Sequence, residues 1–185
     1  MADAFSRDTA RDDLLVLVDG LDQPIGTATK ERAHRECLLH RAFSVVLARE
    51  GEAEPELLLA RRAEGKYHSA GLWANSCCSH PRSGEELGCA VHRRVGEELG
   101  IEAGELTEIG AFVYRAVFAD GLAEYEYDHV FAGWFDGEPA PDPEEVSETR
   151  WVPVSELAAE LAEHPERFCA WAFTVLSLAL RYFCR

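Results

Sequence analysis

Short runs of apolar and β-branched residues, separated by turn-like sequence, recur along the chain and predict β-strands. The residues around Pro24 and Gly26 are typical of turns, and Thr29–His34 is predicted to be a loop that leads into a strand at His40–Leu47. The other predicted strands are Leu14–Val18, Glu56–Arg62, Ile109–Val117, Glu124–Phe131 and Thr149–Val154.

An amphipathic helix is predicted in the middle of the chain, where Leu87 and Val91 make one face apolar. At about 100° per residue, Arg94 and Glu98 fall on that same face. Charged side chains are costly to bury unless they are paired or bound to a metal or ligand. The pattern is compatible both with a routine i, i+4 ion pair at the helix edge and with a binding site.

Two further helices are predicted near the carboxyl end of the chain. One begins at Ser155, and Pro165 begins a last one that carries Phe168, Trp171, Phe173 and Leu176. Strands interleaved with helices predict an α/β or α+β sandwich. With neither a repeat nor a linker in the sequence, we expect one domain over residues 13–185. A flexible tail over residues 1–12 precedes it, since that segment is polar and lacks periodicity.

The strand at Glu124–Phe131 has an unusual pattern of charge. Alternation places Glu124, Glu126 and Asp128 on one face and both tyrosines on the other. One interpretation is a solvated acidic face above an aromatic core. The other is a cation site, because carboxylates two residues apart on one face repel each other and a bound cation relieves that cost.

The net charge of −16 argues against binding to nucleic acid or to an anionic membrane, because both require basic patches. An anionic substrate would need local cations or metal ions. The chain has only two lysines, Lys30 and Lys66, and both lie close in sequence to candidate site residues.

The six cysteines do not form the spacing of a disulfide framework, and the amino terminus lacks the apolar core of a signal peptide. Reduced thiols and a cytoplasmic protein are therefore expected. The apolar run Cys169–Leu180 is too short to span a bilayer. Neither a flavin nor a nucleotide fingerprint is present, and we expect a monomer.

A degenerate Nudix box occupies the predicted central helix and the loop before it. Seven positions match the required spacing: Glu85, Arg93, Val95, Glu97, Glu98, Gly100 and Ile101. Ser79 stands where the box has its first Gly, and Arg94 stands where it has a metal-binding Glu. The missing acid argues against pyrophosphate hydrolysis.

The segment Asn75–Pro81, with sequence NSCCSHP, is foreign to Nudix hydrolases and resembles the active-site sequence of type I isopentenyl-diphosphate isomerases. This resemblance extends from about Leu14 to the carboxyl terminus. It implies a Nudix-type α/β/α sandwich with a mixed β-sheet. It also implies a metal-assisted shift of a double bond between isopentenyl and dimethylallyl diphosphate, through a tertiary carbocation.

The resemblance also implies the site residues. Cys78 matches the catalytic cysteine and Glu126 its acidic partner. Tyr114 matches a tyrosine beside that acid, and Trp171 a tryptophan that faces the reacting carbons. The implied ligands of one divalent ion (Mn²⁺, Zn²⁺ or Mg²⁺) are His34, His40, His80, Glu124 and Glu126.

The implied diphosphate contacts are Arg62, Lys66, Arg94 and Lys30, and Glu98 with the Cys78 backbone would hold a Mg²⁺ ion on the phosphates. Imidazole and carboxylate ligands suit such ions. Two alternatives remain at this stage. One is a Nudix pyrophosphohydrolase, and the other is a metal-binding Nudix domain without activity.

Overall fold

The computed structural model of the protein describes residues 14–66, 68–118 and 121–184. The predicted tail at residues 1–12 and part of the predicted turn at Asp120–Gly121 lie outside the described residues. Within them are nine strands: β1 (Leu14–Val18), β2 (Pro24–Thr29), β3 (His40–Glu50), β4 (Pro55–Arg62), β5 (Trp73–Ala74), β6 (Cys77–Ser79), β7 (Leu106–Val117), β8 (Ala123–Trp134) and β9 (Val146–Pro153). The helices are α1 (Lys30–Glu36), α2 (Leu87–Leu99), α3 (Val154–Glu163) and α4 (Ala172–Phe183).

Strand β3 organises a mixed sheet. Along one edge it pairs in parallel with β8, from His40 opposite Glu126 to Ala48 opposite Trp134. Along its other edge it pairs antiparallel, in turn, with β1, β6 and β4. Strand β7 extends the sheet beyond β8, and β9 pairs with β4.

Alternate residues of β3 supply two hydrophobic cores, one on each face of the sheet. Val46 and Ala48 pack in the core that contains α3 and α4. Val45 and Leu47 pack in the core under α2. Side chains of successive strand residues point to opposite faces, so this single strand is buried on both sides. Helices on both faces of a mixed sheet confirm the predicted α/β/α sandwich and its single domain.

Two local predictions in the amino-terminal part are wrong. The segment predicted as a loop is helix α1, capped by the Thr29 side chain, which accepts from the backbone N–H of Arg32 at 3.3 Å. Burial of Ala33 and His34 against the sheet stabilises a helix too short to show periodicity. The turn predicted around Pro24 is strand β2, which among the described strands pairs with β1 alone. Proline is tolerated in such an edge strand, where its missing N–H is not needed.

Helix α2 ends at Leu99, directly before a glycine, a residue that commonly ends helices. Gly100 has φ 64°, and a Cβ at this position would lie 2.7 Å from the carbonyl oxygen of Ala140. Only glycine fits both the left-handed conformation and the close approach of that chain.

The last helix begins later than predicted. Pro165–Arg167 form a 3-10 turn, and α4 starts at Ala172 with Trp171 as its N-cap residue. Phe173 is 55% exposed, whereas Trp171 is buried. The two residues lie on opposite sides of the first turn of α4.

The described residues include no helix long and apolar enough to cross a membrane. The six cysteines are free, as expected from their spacing.

Candidate active site and metal centre

Three neighbouring strands place polar side chains side by side at one end of the sheet. Glu126 on β8 lies directly opposite Tyr114 on β7 and His40 on β3. Residues opposite each other in a ladder share a face, so the three side chains form a row. Further along β3 the same face carries Val46 and Ala48 of the α4 core. The site is therefore the polar continuation of a hydrophobic face.

The acidic face of β8 is the buried one. Glu124, Glu126 and Asp128 are each less than 7% exposed, while Tyr125 and Tyr127 are partly exposed. The interpretation of a solvated acidic face above an aromatic core is therefore wrong. Buried carboxylates require hydrogen bonds, protons or cations, which favours a site.

Four of the five predicted metal ligands converge. His34, His40, His80 and Glu126 each offer a ligand atom within 4.8 Å of the others' ligand atoms. The Nε2 atoms of His40 and His80 are 3.2 Å apart, and His80 Nε2 is 2.9 Å from Oε1 of Glu126. Nitrogen and carboxylate donors that point at one another form a group that can hold a divalent cation.

The protonation states of these imidazoles fit a metal ion. Nδ1 of His40 lies 2.8 Å from the Leu38 carbonyl, which can only accept, so Nε2 is the nitrogen left to face the group. Burial, followed by the charges of neighbouring histidines, lowers the pKa of His34 to about 2. Burial lowers the pKa of His80 to about 4, although Glu126 opposes this. Neutral imidazoles are the form that binds metals.

The fifth predicted ligand, Glu124, is not in this group. Its Oε1 atom lies 2.8 Å from Nε2 of His68, and its Oε2 atom lies 3.0 Å from the hydroxyl oxygen of Tyr114. The same hydroxyl donates to Oε2 of Glu126 at 2.6 Å. Burial and then Glu126 hold the pKa of Tyr114 well above its usual range, so the phenol keeps its proton. The role of Glu124 as a ligand stays a prediction.

Cys78 is held by directional contacts. Its thiol donates to Oδ1 of Asn75 at 3.1 Å, and the indole N–H of Trp171 donates to its sulfur at 3.1 Å. Asn75 donates its amide protons to the carbonyls of Val45 and Cys77, which turns its oxygen toward the thiol. Burial and then the nearby Asp128 raise the pKa of the Cys78 thiol well above normal.

Cys77 points the other way, as the sequence predicts for an extended segment. It packs beneath α2, whereas Cys78 packs with the α4 core. Burial raises the pKa of Cys77 as well. Its side chain is buried beside Glu98, and we expect it to be a structural residue.

The predicted phosphate ligands line the same cavity as the residues above. This cavity has a volume of about 370 Å³, and Cys78, Tyr114, Glu126 and Trp171 line part of it. The four predicted phosphate ligands, Lys30, Arg62, Lys66 and Arg94, also line it. Both lysines of the chain therefore lie in one cavity of a protein with net charge −16.

Arg94 and Glu98 form the ion pair that the helix pattern allows, and they also line the cavity. The ion pair is therefore confirmed, and the binding role of the two residues stays a prediction. Burial raises the pKa of Glu98, although Arg94 opposes this. Glu98 thus places a carboxylate beside cationic side chains, a setting that suits Mg²⁺, which binds through one or two carboxylates and substrate phosphates.

Several site residues were not found from the sequence. Asn75 lies in the segment that carries the resemblance, and Asp128 is the third acid of the β8 pattern. The sequence could therefore have identified both as candidate site residues. Ser44 donates to Oδ2 of Asp128 at 2.8 Å and reaches the sulfur of Cys78 at 3.6 Å. His68 and Glu145, which pairs with Lys66, lie in loops whose composition gave no signal.

Comparison with known proteins agrees with this geometry. The model of the NUDIX domain matches residues 38–172. The chain is 44% identical to the isopentenyl-diphosphate Delta-isomerase of Serratia proteamaculans, over 89% of this chain and 90% of that protein. It is 48% identical to isopentenyl-diphosphate Delta-isomerase 2 of Photorhabdus laumondii, over 86% of this chain and 88% of that protein.

A crystal structure of a Deinococcus radiodurans protein has the same fold, with a TM-score of 0.70 at 20% identity, over 93% of this chain and 99% of that one. At this identity the likeness concerns the fold alone. The sequence relatives are closer and span most of both chains. The chain belongs to the NUDIX domain family and, within it, to the isopentenyl-diphosphate Delta-isomerases.

Proposed function

We propose that the chain interconverts isopentenyl and dimethylallyl diphosphate, and that Cys78 and the Tyr114–Glu126 pair move the protons. The observation that carries this assignment is one cavity lined by two kinds of group. A buried thiol and a phenol–carboxylate pair line it, and so do the cationic side chains of Lys30, Arg62, Lys66 and Arg94. The first kind of group can exchange protons with an alkene, and the second can bind a diphosphate.

The reaction adds one proton and removes another. The terminal CH₂ carbon of isopentenyl diphosphate takes up a proton, which leaves a tertiary carbocation at the neighbouring carbon. Loss of a proton from C2 then forms the new double bond, so the composition does not change. One group must give a proton and a second must accept one, and the two exchange roles in the reverse direction.

The protonation states of the two groups suit this exchange. The raised pKa of Cys78 keeps its proton on sulfur. Burial alone would raise the pKa of Glu126, but His80 and His40 outweigh it and hold the pKa well below its usual range. The cavity therefore offers one group that holds a proton and one that lacks it. Hydrogen bonds from Tyr114 and to Asn75 fix the geometry of both.

Two cation sites complete the proposal. His34, His40, His80 and Glu126 would hold a Mn²⁺, Zn²⁺ or Mg²⁺ ion, with Glu124 as the further predicted ligand. Glu98 and the Cys78 backbone would hold Mg²⁺ with the diphosphate, beside Arg62, Lys66, Arg94 and Lys30. Bound divalent ions would strengthen nearby acids and neutralise phosphate charge.

Proton NMR of isopentenyl diphosphate incubated with the protein and Mg²⁺ in D₂O tests the function. We expect dimethylallyl diphosphate that carries deuterium, because each turnover exchanges a proton with a group of the enzyme. Phosphate release is measured in parallel, since a Nudix hydrolase would release phosphate without isomerisation. An unchanged spectrum from folded, metal-loaded protein would refute the proposal.

A further inference from the structure

A buried histidine outside the assigned set, His68, contacts three parts of the active site. Its Nε2 atom lies 2.8 Å from Oε1 of Glu124. Its ring stands edge-on to Trp171, with ring centroids 6.0 Å apart. Its backbone carbonyl accepts from the Arg62 guanidinium at 3.3 Å. His68 therefore contacts a predicted metal ligand, the residue predicted to face the carbocation and a predicted ligand of the diphosphate.

The ring of His68 is fixed in orientation. It stacks on Phe118 with centroids 4.1 Å apart and planes 8° from parallel. Nδ1 lies 3.2 Å from the hydroxyl of Ser69, which has a left-handed backbone with φ 52°. A residue other than glycine in that conformation is strained, and such strain persists only where the surroundings enforce it. If the Ser69 hydroxyl donates to Nδ1, the ring proton stands on Nε2, the atom beside Glu124.

The contact with Glu124 bears on the Tyr114 hydroxyl. That hydroxyl has one proton to donate but lies 3.0 Å from Glu124 and 2.6 Å from Glu126. The two buried carboxylates therefore compete for it. Nε2 of His68 lies against the other oxygen of Glu124, and this contact holds Glu124 so that the tyrosine proton is left to Glu126.

We propose that His68 is a positioning residue of the isomerase: by holding Glu124, it directs the Tyr114 hydroxyl to Glu126. This inference rests on the proposed function, because Tyr114 and Glu126 are the proton-moving pair of that function. His68 acts through Glu124 and Tyr114 and does not itself exchange protons with substrate.

The test compares variants that separate the nitrogens of the ring from its packing. His68→Phe keeps an aromatic ring for Phe118 and Trp171, and it keeps the carbonyl for Arg62, but it removes the contact with Glu124. His68→Gln keeps an N–H donor at about the position of Nε2. His164→Phe is the matched control, since that histidine is 45% exposed and pairs only with Glu166 among the ion pairs of the described residues.

We expect His68→Phe to lower kcat ten- to a hundredfold, the usual effect of removing a partner behind a site ligand, with KM changed less than threefold. His68→Gln should retain at least about a third of the turnover, and the control all of it. Circular dichroism and thermal unfolding verify that each variant folds. Should His68→Phe not fold, His68→Asn replaces it, because its shorter amide cannot reach Glu124 and the same loss is expected.

A double-variant cycle distinguishes positioning from packing. In the Tyr114→Phe background there is no hydroxyl to direct, so adding His68→Phe should cost less than about twofold further. Additive losses would overturn the inference, and so would a fully active His68→Phe protein while the wild-type protein is active. A wild-type protein without isomerase activity would instead overturn the proposed function, and the inference with it.

Discussion

At the scale of single residues, Trp171 has more than one contact that bears on catalysis. Its indole N–H donates to the sulfur of Cys78 at 3.1 Å. Its ring lies 5.3 Å from Cζ of Arg62. An aromatic face also stabilises a cation without a nucleophilic atom that could trap it. In the proposed function the residue would combine a ring for the carbocation with a donor that orients the thiol.

Replacing Trp171 separates these contributions. Trp171→Leu should lower turnover roughly ten- to a hundredfold, because a desolvated cation–π contact is worth about 2 kcal/mol and each 1.4 kcal/mol is tenfold in rate. Trp171→Phe should cost less, since it loses the N–H donor but keeps a ring. Steady-state kinetics measure the losses, together with the affinity for a tertiary-ammonium mimic of the cation. If substrate and mimic lost affinity equally in the Leu variant, Trp171 would serve only packing.

The adjacent cysteines form a matched pair of variants. Cys78→Ala should abolish turnover while diphosphate affinity and fold persist, because its thiol faces the cavity. Cys77→Ala should retain most activity and lose about 1 kcal/mol of unfolding free energy, since that side chain packs beneath α2. Turnover and urea unfolding of both proteins check this. The opposite pattern of activities would assign the chemistry to Cys77.

At the scale of elements, helix α2 shows which part of the Nudix box is structural. Arg93 donates to both carboxylate oxygens of Glu85, at 2.7 and 2.8 Å, and so joins the helix to the loop before it. The next residue, Arg94, instead turns toward Glu98 and the cavity. One box position thus joins two elements, and its neighbour lines the cavity.

Arg94→Glu restores the box consensus but should not create a hydrolase, because the histidine–carboxylate group around it is unchanged. It should weaken substrate binding roughly ten- to a hundredfold, the value of a lost charge-assisted contact of about 1.5–3 kcal/mol. Arg94→Lys keeps the charge and serves as control. KM and phosphate release are measured for both, and rapid release by the Glu variant would show that the box alone decides the reaction.

At the scale of the whole molecule, stability depends on pH through the buried histidines. In the unfolded chain His34 and His80 take up protons near pH 6.5, but in the folded protein only near pH 2 and 4. Between pH 6.5 and 4 the unfolded state therefore binds more protons. The free energy of unfolding consequently falls as the pH falls, by up to about 1.4 kcal/mol per pH unit for each histidine.

We therefore expect chelator-treated protein to lose stability between pH 7 and pH 5, above the range where carboxylates titrate. Urea unfolding at several pH values measures the slope. His34→Gln should reduce that slope by up to one histidine's share, because one of the two protons is no longer taken up on unfolding. An unchanged slope in this variant would contradict the assignment of a neutral, buried His34.

Much of the fold, and most of the side chains that the structure brings together, could be predicted from the sequence. The period-two alternation in β8, the apolar run in β3 and the apolar face of α2 are patterns that backbone geometry imposes, so strands, helix and acidic row could be predicted. Cys78 and the three clustered histidines could be predicted from the resemblance, because short motifs can be recognised in the sequence without a structure. The two cysteines could also be distinguished, because neighbouring residues of an extended segment face opposite ways. Cys78 and Cys77 do pack in different cores.

Three features could be read from the tertiary structure alone. They are the burial of the acidic face of β8, the helical conformation of Thr29–His34 and the side chains that contact Glu124. The alternation in β8 is symmetric, and only the packing of α1 and α4 determines which face is buried. His68 reaches Glu124 from a loop 56 positions earlier in the chain. Such a contact depends on the ladder between β7 and β8 and on where the loop after β4 returns to the sheet. Local sequence specifies neither of these, because long-range pairing is stabilised only once the whole core has formed.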